Sequence, residues 1–106
     1  MIKDKIREIE SLTSYLNNEE KKIIIKAINF SDTAHKDQTR QSGDPYITHP
    51  IEVAKILTSI KLDASAIAAR LLHDTIEDTI ISKNEITEAF GSQISELVQG
   101  LTKISK

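Results

Sequence analysis

The segment from Asp63 to Thr79 reads DASAIAARLLHDTIEDT, and it decides the fold class. Asp63 is suited to cap the start of a helix, and Ala66, Ile67, Ala69, Leu71 and Leu72 follow as its apolar residues. With successive side chains ~100° apart on a helix, His73, Asp74, Glu77 and Asp78 fall within an arc of about 140°. Ala68, Ala69, Leu72 and Ile76 lie on the other side. One imidazole and three carboxylates on one stripe repel one another unless they face water or a cation. Beside small alanines and an apolar run, such a stripe reads as the lining of a cleft. The plainer alternative is a solvated or structural His-Asp pair, the usual state of such a pair taken alone.

Working outward, helical spacing continues in both directions. Ile2, Ile6, Ile9, Leu12 and Leu16 recur at steps of four and three, which predicts a first helix. Asn17-Asn18 interrupts it, and Glu19-Glu20 suits the first turn of a second helix, expected to carry Ile23, Ile24, Ala27, Ile28 and His35 and to end near Arg40. Ser42-Gly43-Asp44-Pro45 is turn chemistry. Pro50 suits the first position of a third helix running through Val53, Ala54, Leu57 and Ile60. Ser82 and Glu85 read as a capping box for a short fifth helix, Gly91 as its terminator, and Ser92 as the start of a sixth bearing Ile94, Leu97, Val98 and Leu101. No stretch alternates with a period of two. The expectation is a single all-α domain over residues 1–106, a bundle of about six helices.

Composition narrows the function classes. Among 106 residues, 39% are hydrophobic and 28% charged, ordinary for a globular chain, while aromatics at 4% leave the core to Ile, Leu, Val and Ala. A net charge of −2 argues against coating a nucleic acid, though a few local cations could still hold a small anionic ligand. The lack of cysteine removes disulfides, thiolate metal sites and cysteine nucleophiles together. No apolar run approaches the roughly 18 residues of a membrane span, so a cytoplasmic protein without membrane contact is expected.

A second histidine lies in an unusual setting, Arg40-Gln41-Ser42-Gly43-Asp44-Pro45-Tyr46-Ile47-Thr48-His49-Pro50. His49 precedes a proline at the mouth of a helix, a junction that can aim an imidazole inward while the adjacent loop meets a ligand. His49, His73 and Asp74 offer N, N and O donors, a mixture that suits Mn²⁺, Fe²⁺ or Zn²⁺ better than Ca²⁺, with phosphate chemistry tilting the choice to Mn²⁺. Tyr46 can equally be a core aromatic and Arg40 a cation favoured at a helix end. His35 reads as a buried, hydrogen-bonded structural histidine, and Lys36 and Lys103 as solvated lysines.

The blocks Ala34-His35-x-x-Gln38-x-Arg40-x-Ser42-Gly43-Asp44-Pro45-Tyr46-Ile47-x-His49-Pro50, Leu71-Leu72-His73-Asp74-x-x-Glu77-Asp78-Thr79 and Phe90-Gly91 through Lys103 resemble the HD-type hydrolase domain of the RelA/SpoT homologues. The resemblance implies an all-helical HD domain in which His49, His73 and Asp74 ligate Mn²⁺. It implies that Glu77 and Asp78 position or activate the attacking water. It implies that Arg40 packs against a guanine base and that Ser42 contacts the nucleotide. Gln41 stands beside them where relatives often carry Lys or Arg, so one cation near the substrate is lost. A further Asp that completes the family's metal shell lies downstream of the Thr102-Lys103 block, and the chain ends at Lys106. The implied domain is therefore expected to be partial, truncated at its C-terminus.

The expected activity is metal-dependent hydrolysis of the alarmone (p)ppGpp to GDP or GTP and pyrophosphate. Two alternatives stand beside it. One is a catalytically incomplete hydrolase fragment that self-associates or binds a complementing chain. The other is an HD phosphohydrolase acting on another nucleotide.

Overall fold

Asn17 opens the longest helix with a reciprocal cap: its side chain accepts the Glu20 amide at 2.8 Å, and the Glu20 carboxylate accepts the Asn17 amide at 3.0 Å. In the computed structural model, which describes residues 2–36, 38, 43 and 45–105 and side chains as far as Leu101, this helix is α2 of six. They are α1 (Ile2–Leu12), α2 (Asn18–Ala34), α3 (Thr48–Ser59), α4 (Ala64–Asp78), α5 (Lys83–Phe90) and α6 (Ser92–Ser105). There is no strand among the described residues, so the fold is all-α as expected. No helix among them is long and apolar enough to cross a membrane.

The centre is α4. It packs most extensively against α2 and α6 and also against α3. Ala64, Ile67, Ala68, Ala69, Leu71, Leu72 and Thr75 are all buried, so α4 is apolar nearly all round until its last turn, as a helix enclosed by others must be. The small alanines allow close approach. Ile24, Ala27 and Ile28 of α2, Ile51 and Ala54 of α3, Ile86 of α5, and Ile94 and Val98 of α6 complete an aliphatic core. The two phenylalanines meet edge to face at its border, Phe30 and Phe90 with ring centroids 5.4 Å apart.

Asp63 caps α4 by accepting the Ala66 amide at 2.8 Å, and Ser82 caps α5 by accepting the Glu85 amide at 3.3 Å. Other boundaries differ from the sequence expectation. α1 stops at Leu12 rather than continuing to Leu16: past it the amides of Thr13 and Leu16 donate three residues back, to Glu10 at 3.3 Å and Thr13 at 2.9 Å, instead of four. α2 ends at Ala34, and the chain leaves it through His35, whose amide still donates to Ser31. α3 begins at Thr48, so Pro50 is its third residue, where its missing N–H is still one of the donors a helix start leaves unpaired.

At the end of α3 the amides of Lys61 and Leu62 donate to the carbonyls of Thr58 and Leu57 at 3.0 and 3.2 Å. This is a Schellman closure with a lysine at φ 57 where glycine is usual. Gly91, between α5 and α6, adopts φ 92 and ψ 164, a region only glycine enters readily; its amide closes α5 on Thr87 and its carbonyl receives Ser95 of α6.

α1 is the outlier of the bundle. Ile9 is its one buried residue, and it docks on α3 with exposed ion pairs, Glu8 with Lys55 and Lys5 with Glu52. The Lys55 ammonium, by hydrogen bond and charge, lowers the Glu8 carboxyl below its ordinary value. Exposed pairs of this kind add little stability.

Candidate metal centre

The last two turns of α4 carry the acidic stripe. His73 and Asp74 are mostly buried, their side chains 12% and 17% exposed, while Glu77 and Asp78 reach the surface. One ligand atom from each of His73, Asp74 and Glu77 lies within 4.8 Å of the others, close enough to share a cation. The set offers one nitrogen and two carboxylates, a mixed donor set that fits a divalent ion such as Mn²⁺ or Zn²⁺. His49 stands exposed on the second residue of α3 and is not part of this group. Arg40, Gln41 and Ser42 lie outside the described residues.

Asp78 ends α4 and is held from two directions. The Tyr46 hydroxyl donates to its Oδ2 at 2.7 Å, and the Gln38 side-chain amide donates to its main-chain carbonyl at 2.9 Å. Tyr46 and Gln38 are themselves joined, the Tyr46 amide donating to the Gln38 carbonyl at 3.3 Å. The Tyr46 ring stacks on His35 with centroids 4.1 Å apart and planes 12° from parallel. His35 is 3% exposed; its Nδ1 lies 3.2 Å from Gln38 Oε1, and its Nε2 is buried without a hydrogen-bond partner. The expected buried structural histidine is therefore found, with one nitrogen satisfied. Burial first, then the hydrogen bond to Asp78 and the charge of Asp74, push the Tyr46 phenol well above its ordinary value.

Between the ends of α2 and α4 lies an open cleft of about 600 Å³ lined by Thr33, Lys36, Gln38, Glu77, Asp78 and Ile80. Lys36, set aside as a solvated lysine on sequence grounds, puts a cation on the rim opposite the acidic pair. Tyr46 and Gln38 were equally invisible as parts of a site: their partner Asp78 lies 32 and 40 positions away. The available signal was their place in the same block as His49.

A family model described as HD domain matches residues 27–106. The chain is 47% identical over 100 residues to a GTP pyrophosphokinase of Myxococcus xanthus, covering 94% of this chain and 13% of that protein. It is 46% identical over 98 residues to a GTP pyrophosphokinase rsh of Brucella melitensis, 92% of this chain and 13% of the relative. It is 43% identical over 95 residues to the bifunctional (p)ppGpp synthase/hydrolase SpoT of Escherichia coli K12, 90% of this chain and 14% of the relative. The chain thus spans about 13–14% of the length of these curated relatives. An α4-centred helical bundle, a His-Asp pair on its central helix and a matching family model lead to one assignment: the chain belongs to the HD domain family, as the HD part of a RelA/SpoT-type protein.

Proposed function

We propose that the chain belongs to the hydrolase domain of an alarmone phosphohydrolase, removing the 3′-pyrophosphate of (p)ppGpp to leave GDP or GTP. The observation that carries this reading is the convergence of His73, Asp74 and Glu77 donors within 4.8 Å, next to a carboxylate, Asp78, that is held in place. His73 and Asp74 would hold Mn²⁺, with His49 as a further ligand supplied from α3, which packs on α4. When bound, the ion supplies Lewis acidity toward a phosphate oxygen and toward water.

The remaining work falls to side chains. Glu77 or Asp78 orients the attacking water and accepts its proton; both carboxylates border the cleft where that water would stand. Arg40 stacks on the guanine, a task its flat guanidinium suits, while Gln41 and Ser42 contact the nucleotide. Lys36 offers one positive charge to the departing pyrophosphate from the cleft rim.

Two relatives carry the name pyrophosphokinase, and one is named a synthase/hydrolase. Hydrolysis is favoured for this chain because its chemistry-bearing residues are metal donors and carboxylates. Three scattered glycines, Gly43, Gly91 and Gly100, cannot form a phosphate-cradling glycine loop.

The test is incubation of the purified chain with Mn²⁺ and ppGpp, following GDP and pyrophosphate, with Asp74→Ala alongside. Turnover that disappears in the variant and on chelation is the expected result. A folded chain with no turnover overturns the reading and leaves the incomplete, partner-binding fragment in its place. Equal turnover of other nucleotides points to a broader HD phosphohydrolase.

A further inference from the structure

Asp78 sits where a carboxylate is least comfortable. It is the last residue of α4, at the negative end of the helix dipole, and its side chain has few intrinsic restraints. A group that must receive a proton from water has to stand within hydrogen-bond reach of that water, so an unrestrained carboxylate there would spend much of its time misdirected. The structure supplies the restraint as a closed circuit of side chains. Tyr46 holds Asp78 Oδ2, Gln38 holds the Asp78 carbonyl, His35 touches Gln38 Oε1 through its Nδ1, and the His35 ring lies flat against Tyr46. The circuit joins the exit of α2 and the entry to α3 to the end of α4. Tyr46 holds Oδ2 of a carboxylate that lines the cleft.

We propose that Tyr46, clamped by His35 and Gln38, is a positioning residue that fixes the Asp78 carboxylate for its work on water. The positioning is a property of this chain alone; its consequence for turnover rests on the hydrolase reading above. The arrangement is more specific than packing. A core aromatic would need only its ring, whereas here the ring is held by stacking and the hydroxyl is bonded to Asp78 Oδ2, with the Asp74 carboxylate also beside it.

The experiment compares wild type, Tyr46→Phe and Tyr46→Leu in the 106-residue chain. NMR couplings report the Asp78 side-chain rotamer, and kinetics with Mn²⁺ and ppGpp report kcat and KM separately. Tyr46→Phe keeps the stacked ring and removes only the hydroxyl. The expected result is one Asp78 rotamer in wild type and an averaged one in Tyr46→Phe, with kcat down on the order of tenfold and KM within about twofold. Tyr46→Leu should add a loss of thermal stability that Tyr46→Phe does not show. An Asp78 rotamer unchanged in Tyr46→Phe overturns the proposal, as does a rise in KM alone. Should Tyr46→Phe not fold, Gln38→Ala releases the other side of the circuit and is read by the same rotamer. If wild type has no turnover, the hydrolase reading fails and the rotamer comparison alone decides the positioning role.

Discussion

His73 Nδ1 lies 3.0 Å from Asp74 Oδ1 and 3.4 Å from Arg70 Nη1. The two contacts ask opposite things of one nitrogen, because a carboxylate can only accept and a guanidinium can only donate. The shorter one favours the Nδ1–H tautomer and makes Asp74 an orienting neighbour as well as a candidate ligand. Replacing Asp74 by Asn should therefore weaken Mn²⁺ binding by at least about tenfold, and His73→Ala by as much or more. Titration of the chain with Mn²⁺, followed by the loss of the free-ion resonance signal, measures both. Affinity unchanged in either variant would remove the metal centre from α4.

Gly91 meets no atom that an added Cβ would strike, so substitution there tests the backbone alone. At φ 92 and ψ 164, Gly91→Ala should cost about 1–3 kcal/mol in urea unfolding, with the denaturant slope unchanged. A smaller cost would mean that the α5–α6 corner can re-form with another geometry.

Lys61 presents the converse case. It holds the left-handed position of the α3 closure that glycine would occupy without penalty, so Lys61→Gly should stabilise the chain by about 1 kcal/mol. Thermal unfolding of the pair reads this directly, and destabilisation would show that the lysine side chain contributes more than its backbone costs.

Alkali offers a further handle. The chain has two tyrosines, and both phenols are raised above their ordinary value of 10.0, Tyr15 by burial and then by the charges of Asp63 and Glu20. The Tyr15 hydroxyl also donates to the Leu62 carbonyl at 2.6 Å, which a phenolate cannot do. A raised folded pKa favours the fold fully below pH 10, and the advantage is lost as pH rises past the unfolded value toward the folded one. Phenolate absorbance should therefore appear together with loss of helical signal rather than before it. Tyr15→Phe should flatten the decline of stability above about pH 10. Phenolate formation in a chain that stays fully helical would contradict this.

Legibility followed locality. Asp63 and Ser82 were readable as caps because a cap is settled within four residues, and α4 because its apolar residues surround it. The Lys61 closure was hidden, since left-handed closures are recognised by glycine and none is there. The α2 end was overshot because Lys36 and Gln38 suit a helix locally, while the Gln38 side chain is engaged with Asp78, 40 positions away. For the same reason the candidate site was half visible. His73, Asp74 and Glu77 share one helix and one face, while the membership of Tyr46 and Gln38 depends on how three segments meet. The position of His49 relative to that face depends on the packing of α3 against α4.

The loose seating of α1 has a consequence for how the molecule breathes. Detaching it exposes the fully buried Ile9, worth roughly 1.5–3 kcal/mol, together with the half-buried Ile2 and Ile6, and breaks ion pairs that salt already weakens. The amides of α1 should then exchange with solvent through an opening that leaves α2 to α6 assembled, while those in the middle of α4 exchange only when the whole chain unfolds. Every described residue of the candidate site lies on the assembled side of that boundary. Ligand bound at the end of α4 would slow exchange throughout the bundle and leave the first helix exchanging at its own pace.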